Sequence, residues 1–349
     1  MKQAPNRDFY EIRSILGNDW AMFYFLLGAR EAGKSYAVTN FFVNQFIKYG
    51  RPFYWLRLSE NSAKKLLQNN ADKLIDPDLK RKYHLDLITS GSNVYRVIKR
   101  DKKTSKVVEK VLMARVFSLA TFYNDKGSGI YDKDFLLDEK MYYNIALDEM
   151  NREESEKHTF DIVYNFVNQI ENLVRSTKQR LRIICIGNTL DEASDLLTAF
   201  NFIPVEFGRY YIRKKRAVID YMAPSEKYKE RRKGTVSDLL SPDASTFSNK
   251  NESDASLVSG ERLRVPMFII QFHKGDNSKY TVWNDRIIAK YNGEKCKRKI
   301  AMRPYLDVKF LVDDRNNVIQ NFDDRMFLFH NLLTYKEFKK ELEYLRKTR

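Results

Sequence analysis

At 349 residues the chain has room for two domains, and a hydrophobic content of 43% supplies a core for each. Its net charge of +16 favours a polyanionic partner, nucleic acid being the common one. Two cysteines are too few for a disulfide framework, the four histidines stand at no metal-ligand spacing with them, and no apolar run approaches the ~18 residues that cross a bilayer. Met1 to Asp8 contains no signal-like apolar stretch, so a cytoplasmic protein with no membrane partner is expected.

A short helix or arm is expected over residues 8–19. The run Met22-Phe23-Tyr24-Phe25-Leu26-Leu27 then reads as a buried strand. Val38, Phe41, Phe42 and Phe46 fall at helical spacing within 35–48, and Gly50 stands just past the end. Between strand and helix lies Gly28-Ala29-Arg30-Glu31-Ala32-Gly33-Lys34-Ser35, which fits G-x-x-x-x-G-K-[ST] without a mismatch. The glycines allow a tight turn whose N–H groups face phosphate oxygens, reinforced by the positive end of the helix dipole. All eight residues are therefore candidates for binding ATP, with Lys34 reaching the β- and γ-phosphates and Ser35 ligating Mg²⁺. The leading arm would pack beside that nucleotide. The bland alternative is a Gly-containing turn before a helix.

A second aromatic strand is expected over 52–58, followed by a helical stretch over 59–79. From Leu85 to Leu119 the period becomes two, and 94–98 and 107–112 flank a turn at Asp101 to Ser105, which predicts a hairpin. Asn124 to Gly129 reads as an exposed loop. Tyr143 to Leu147 is an apolar strand ending in Asp148-Glu149, the Walker B form. Asp148 would hold Mg²⁺ through water, and Glu149 would polarise the attacking water. A helix over 160–175 places Arg175 near its end. A third strand, 181–188, takes in Cys185 as a small core hydrophobe and ends in Asn188, either a sensor of the γ-phosphate or a cap of the next turn.

Aromatics and cations mix over 208–216, and 224–260 loses its apolar period. This divides the chain into an ATPase domain (1–205), a lid or linker (206–258) and a C-terminal α+β domain (259–349). In the last, strands are expected at 265–270, 280–283 and 286–291, a hairpin turn at Asn292-Gly293, and a closing helix carrying Tyr335, Phe338, Leu342 and Leu345. Its Asp276, Asp285, Asp307, Asp313 and Asp314 form no pattern that separates nuclease carboxylates from turn aspartates. Lys295 to Lys299 is a basic tip suited to phosphates, so binding is favoured over cleavage.

Gly28 to Ser35 continued by Tyr36, the helix ending Phe46-Ile47-Lys48-Tyr49-Gly50, Leu147-Asp148-Glu149 and Arg182 to Asn188 together resemble the genome-packaging ATPases of phi-29-like podophages. The likeness covers roughly the first two hundred residues. It implies an α/β P-loop ATPase domain of the additional-strand (ASCE, RecA-like, terminase-like) class, then a small α+β domain resembling an RNase H-type nuclease without its catalytic acids. It also implies a pentameric ring on the portal of a procapsid, driving double-stranded DNA inward with ATP and Mg²⁺ in the host cytoplasm. A packaging RNA is a further partner it allows. Residue by residue, Lys34 and Ser35 match the P-loop pair, Asp148 and Glu149 the Walker B pair, and Asn188 the strand-end coupling residue. Arg175 matches a trans-acting arginine if one inserted residue is accepted before Arg182; otherwise it pairs with a carboxylate of its own subunit. Lys126 resembles a second basic residue offered to a neighbour's nucleotide, and Arg30 one that restrains the catalytic glutamate. Rival readings are a helicase or helicase loader, and a basic structural protein that binds ATP only to assemble. Glu149 argues against the last.

Overall fold

The computed structural model describes residues 9–121, 142–151, 160–174, 180–188, 194–236, 239, 256–306 and 308–348. The chain divides into two compact units, residues 1–190 with 206–250 and residues 191–205 with 251–349. In the first unit the strands are β1 (Phe23–Gly28), β2 (Phe53–Arg57), β3 (Leu87–Ser90), β4 (Asn93–Arg100), β5 (Val107–Ser118), β6 (Tyr142–Asp148), β7 (Arg180–Asn188), β8 (Gly208–Ile212) and β9 (Ala217–Tyr221). Among the described residues they form one nine-stranded sheet in the order β3-β4-β5-β2-β6-β7-β1-β9-β8.

From β5 across to β9 every neighbouring pair is parallel. Strands covered on both faces must be apolar throughout. Accordingly Tyr24 to Leu26, Phe53 to Leu56 and Ile183 to Ile186 are all buried, Cys185 among them. One strand, β7, stands between β1, which leads into the Gly28–Ser35 loop, and β6, which ends at Asp148. That inserted strand is what the additional-strand class is named for.

The helices here are α1 (Arg13–Leu16), α2 (Lys34–Tyr49), α3 (Glu60–Leu66), α4 (Gln68–Ala71), α5 (Pro77–Lys82) and α6 (Ile162–Val174). Helix α2 buries Val38, Phe42, Val43 and Phe46, with the Phe42 ring 5.4 Å from Phe53 and 6.3 Å from Trp55. Each such side chain contributes about 1.5–3 kcal/mol of burial. Gly50, at φ 72°, ends α2 by donating its N–H to the Phe46 carbonyl at 2.7 Å.

The helix expected over 59–79 is broken. Ser59 caps α3, Asn69 and Asn70 take left-handed backbone at φ 52° and 56°, and Pro77 starts α5 behind an Asp76 cap. Asparagine tolerates that conformation and proline fits the first helical position, so local chemistry overrides the leucine spacing. The stretch read as lid or linker also holds structure: β8 and β9 join the large sheet, β9 parallel to β1 and buried throughout.

Helix α7 (Asp195–Ala199) belongs to the second unit, whereas α8 (Glu226–Arg232) belongs to the first. The second unit continues with β10 (Pro266–Gln271), β11 (Lys279–Trp283), β12 (Ile287–Lys290), β13 (Arg298–Ala301), α9 (Val312–Asp323), β14 (Leu328–Phe329) and α10 (Leu332–Lys347). Its sheet runs β13-β10-β11-β12-β14. Helix α10 buries Phe338, Leu342 and Leu345, and the Phe338 ring meets Tyr280 at 5.0 Å and Phe272 at 5.2 Å. The hairpin turn lies at Asn284-Asp285, not at Asn292-Gly293. Asn284 and Asp285 are both left-handed, at φ 48° and 71°, in the three-residue loop that joins Trp283 to Ile287. After Gly293 the chain instead carries β13 to a parallel pairing with β10.

Candidate functional site

Strand β1 ends at Gly28, level with Asn188 of β7. Within the loop that follows, Glu31 at φ 62° and Gly33 at φ 81° are left-handed. Such alternation of backbone hand turns successive N–H groups to one side. A Cβ on Gly33 would stand 3.1 Å from the Phe9 ring, so the position needs glycine for conformation and for space. Lys34 opens α2 and is only 4% exposed. Its Nζ donates to the carbonyls of Gly28 at 2.8 Å and Ala29 at 2.5 Å. Burial lowers its pKa to about 8, against the opposing pull of the Asp148 carboxylate.

Ser35 donates its hydroxyl to Asp148 Oδ1 at 3.1 Å. Asp148 closes β6 and is buried, which pushes its carboxyl above the ordinary range against the lowering effect of Arg57. Glu149 leaves the strand at φ 54°, which turns its side chain out to 60% exposure. Arg57 spans the two carboxylates: Nη2 donates to Asp148 Oδ2 at 2.8 Å, and Nη1 pairs with Glu149 Oε2. Its place follows from the sheet, since Leu56 of β2 pairs with Leu147 of β6.

These groups line one cleft of about 290 Å³, shared by Glu31, Gly33, Lys34, Ser35, Arg57, Asp148, Glu149 and Asn188. Behind it, a Cβ on Gly187 would lie 2.7 Å from the Asn151 amide nitrogen, which explains the glycine before Asn188. The loop is also held from outside. Ala32 accepts the Tyr10 N–H at 3.0 Å, Tyr228 of α8 donates its hydroxyl to the Arg30 carbonyl at 2.9 Å, and Arg232 pairs with Glu31 at 2.8 Å. Arg231 lies over the Phe9 ring at 4.4 Å. Tyr10 donates in turn to Asp220 of β9 at 2.9 Å, where Arg209 supplies two further bonds. Burial, then the Asp220 carboxylate, pushes the Tyr10 phenol up.

The structure thus brings Glu31, Gly33, Lys34, Ser35, Asp148, Glu149 and Asn188 together, with the Gly28 and Ala29 carbonyls on Lys34. The Arg30 residue is exposed, and the guanidinium on Glu149 is that of Arg57. Lys126 and Arg175 lie outside the described residues, as does the 124–129 loop. Sequence reasoning passed over Arg57, Tyr228, Arg232 and Asp220. The available signal for Arg57 was its place at the carboxyl end of a parallel strand, where ligands bind in open α/β sheets. In the second unit, Asp276 pairs with Lys279 and Asp314 with Arg298. Asp285 sits in the hairpin turn, Asp313 starts α9, and Asp307 is outside the described residues. Lys295, Lys297, Arg298 and Lys299 are exposed.

The profile of podovirus DNA encapsidation proteins (Gp16) matches residues 6–286. The DNA packaging proteins of Bacillus phages PZA and phi29 are each 25% identical over 200 residues, which is 56% of this chain. The match spans about half the length of those relatives, 51% of each. The bacteriophage phi-29 viral genome packaging motor assembly contains a chain of the same fold, at a TM-score of 0.60 and 20% identity, covering 97% of this chain and 99% of that one.

Proposed function

The chain belongs to the podovirus DNA encapsidation (Gp16) family, and from that premise we propose that it is an ATP-driven translocase moving double-stranded DNA into a phage procapsid. The observation that carries the reading is the single cleft holding a buried lysine, a serine hydroxyl and a strand-end carboxylate pair. The donor set fits Mg²⁺: the Ser35 hydroxyl and Asp148 carboxylate are hard oxygen ligands standing 3.1 Å apart. When bound, Mg²⁺ neutralises charge that develops on the transferred phosphoryl group. The chain's own residues do the rest. Lys34 exchanges two neutral carbonyl acceptors for anionic phosphate oxygens, a stronger charge-assisted bond. The Gly28–Ser35 N–H groups cradle the phosphates, Glu149 takes the proton of the attacking water, and Asn188 positions that water.

In this reading the protein works as a ring, pentameric by resemblance, on the portal in the infected host cell. It contacts duplex DNA and, at docking, a packaging RNA. Arg175 and Lys126 are offered to the neighbouring subunit's nucleotide, and the C-terminal unit binds phosphates through Lys295, Lys297 and Lys299. The test is ATP turnover with and without DNA and portal-bearing procapsids, read alongside protection of DNA from nuclease. Turnover that needs both, with duplex protected, is expected. Full stimulation by single strands alone would favour a helicase instead. Co-assembled Arg175→Ala and Glu149→Gln subunits are expected to recover turnover that neither has alone. No recovery would place Arg175 with a carboxylate of its own subunit.

A further inference from the structure

Asp148 and Glu149 are consecutive, so two negative charges stand side by side; Asp148, 4% exposed, has little water to screen it, whereas Glu149 is 60% exposed. Such a pair needs a cation. Arg57 supplies it, one guanidinium nitrogen to each carboxylate. The Arg57 side chain is itself 12% exposed, and its Nε is buried with no acceptor among the described residues. The guanidinium is therefore fastened by the two carboxylates, with its Nε–H left over. A divalent cation beside Ser35 and Asp148 would meet the same demand for positive charge, at the same carboxylate.

We infer that Arg57 is the protein's own counter-charge to Asp148 and Glu149: it competes with Mg²⁺ for Asp148, and while paired it keeps Glu149 tied to the wall. Arrival of the metal nucleotide supplies the positive charge, Arg57 loosens, and Glu149 is freed to take a proton from water. The base is thereby engaged only when fuel is present. Arg57 is a positioning residue in this scheme, acting through Asp148 and Glu149. The inference rests on the ATPase reading above.

The experiment uses the full chain and two readouts. Mn²⁺ alone is titrated and followed by electron paramagnetic resonance, and binding of a fluorescent ADP is measured against Mg²⁺ concentration. Arg57→Gln removes the competitor, so it should bind Mn²⁺ on the order of tenfold more tightly than wild type and reach half-saturation with ADP at correspondingly lower Mg²⁺. Arg57→Lys keeps a charge but loses the fork that spans both carboxylates, so it should fall between the two. It also carries the test, in the same direction, if the glutamine variant fails to fold. Unchanged or weaker metal binding in a folded variant would overturn the inference and make Arg57 a phosphate ligand or a structural brace. Failure of the wild type to bind ADP at any Mg²⁺ concentration would strike the ATPase reading itself, which the Mn²⁺ arm reads separately.

Discussion

Lys34 offers the sharpest quantitative test, because the protein itself buries its ammonium group. Its pKa in the folded chain is about 8, against an ordinary value of 10.5. At about 1.4 kcal/mol per pH unit, keeping it charged inside the fold costs about 3 kcal/mol. The sign follows from proton counting. Between pH 8 and 10.5 the unfolded chain holds this proton and the folded chain does not, so stability rises across that window. Below pH 8 both states are protonated and the cost is borne in full. Wild-type apo protein should therefore gain about 3 kcal/mol relative to Lys34→Met on going from pH 7 to 10.5, measured by denaturant unfolding at each pH. Nucleotide binding runs the other way, since the phosphates need the ammonium form. Affinity for ADP should be flat up to pH 8 and then fall towards tenfold per pH unit. Lys34→Arg, cationic throughout, should bind less tightly but show no such fall. A wild-type ADP affinity that is constant from pH 7 to 9.5 would refute the reasoning.

Glu149→Gln should bind ATP normally and turn it over on the order of a hundredfold more slowly, a split between binding and kcat that single-turnover assays resolve. Near-normal turnover would place the base elsewhere. Asp220→Ala should cost about 2–4 kcal/mol, because it strips the acceptor from both Tyr10 and Arg209, and ADP affinity should weaken as the Tyr10 contact to Ala32 loosens. Thermal denaturation with and without ADP separates the two effects. Duplex affinity should be independent of sequence and fall with salt at a slope of about −0.9 per phosphate contacted, a dependence two unrelated duplexes would share.

What could be read from the sequence was whatever is local. The Gly28–Ser35 loop and the Asp148-Glu149 pair are short patterns whose geometry is set by immediate neighbours, and both meet at the cleft. Arg57 could not be found that way. Its partners depend on β2 lying next to β6, a pairing between segments far apart in the chain. The hold of α8 on the loop was hidden because Tyr228 and Arg232 stand in a charged stretch that has no apolar period. Strand β9 was missed behind the cations Arg213 to Arg216. At Asn292-Gly293 a good turn signal competed with an equally permissive Asn284-Asp285, and only the pairing of β11 with β12 decides between them. Leucine spacing over 59–79 was real, yet two left-handed asparagines outweighed it.

The alternation of the chain between its two units decides where it can be divided. The backbone passes from one to the other between β7 and α7, again between α7 and β8, and a third time between α8 and β10. Cutting the polypeptide at residue 205 would remove β8 and β9 from the first unit while leaving α7 attached to it, so neither fragment would hold a complete unit.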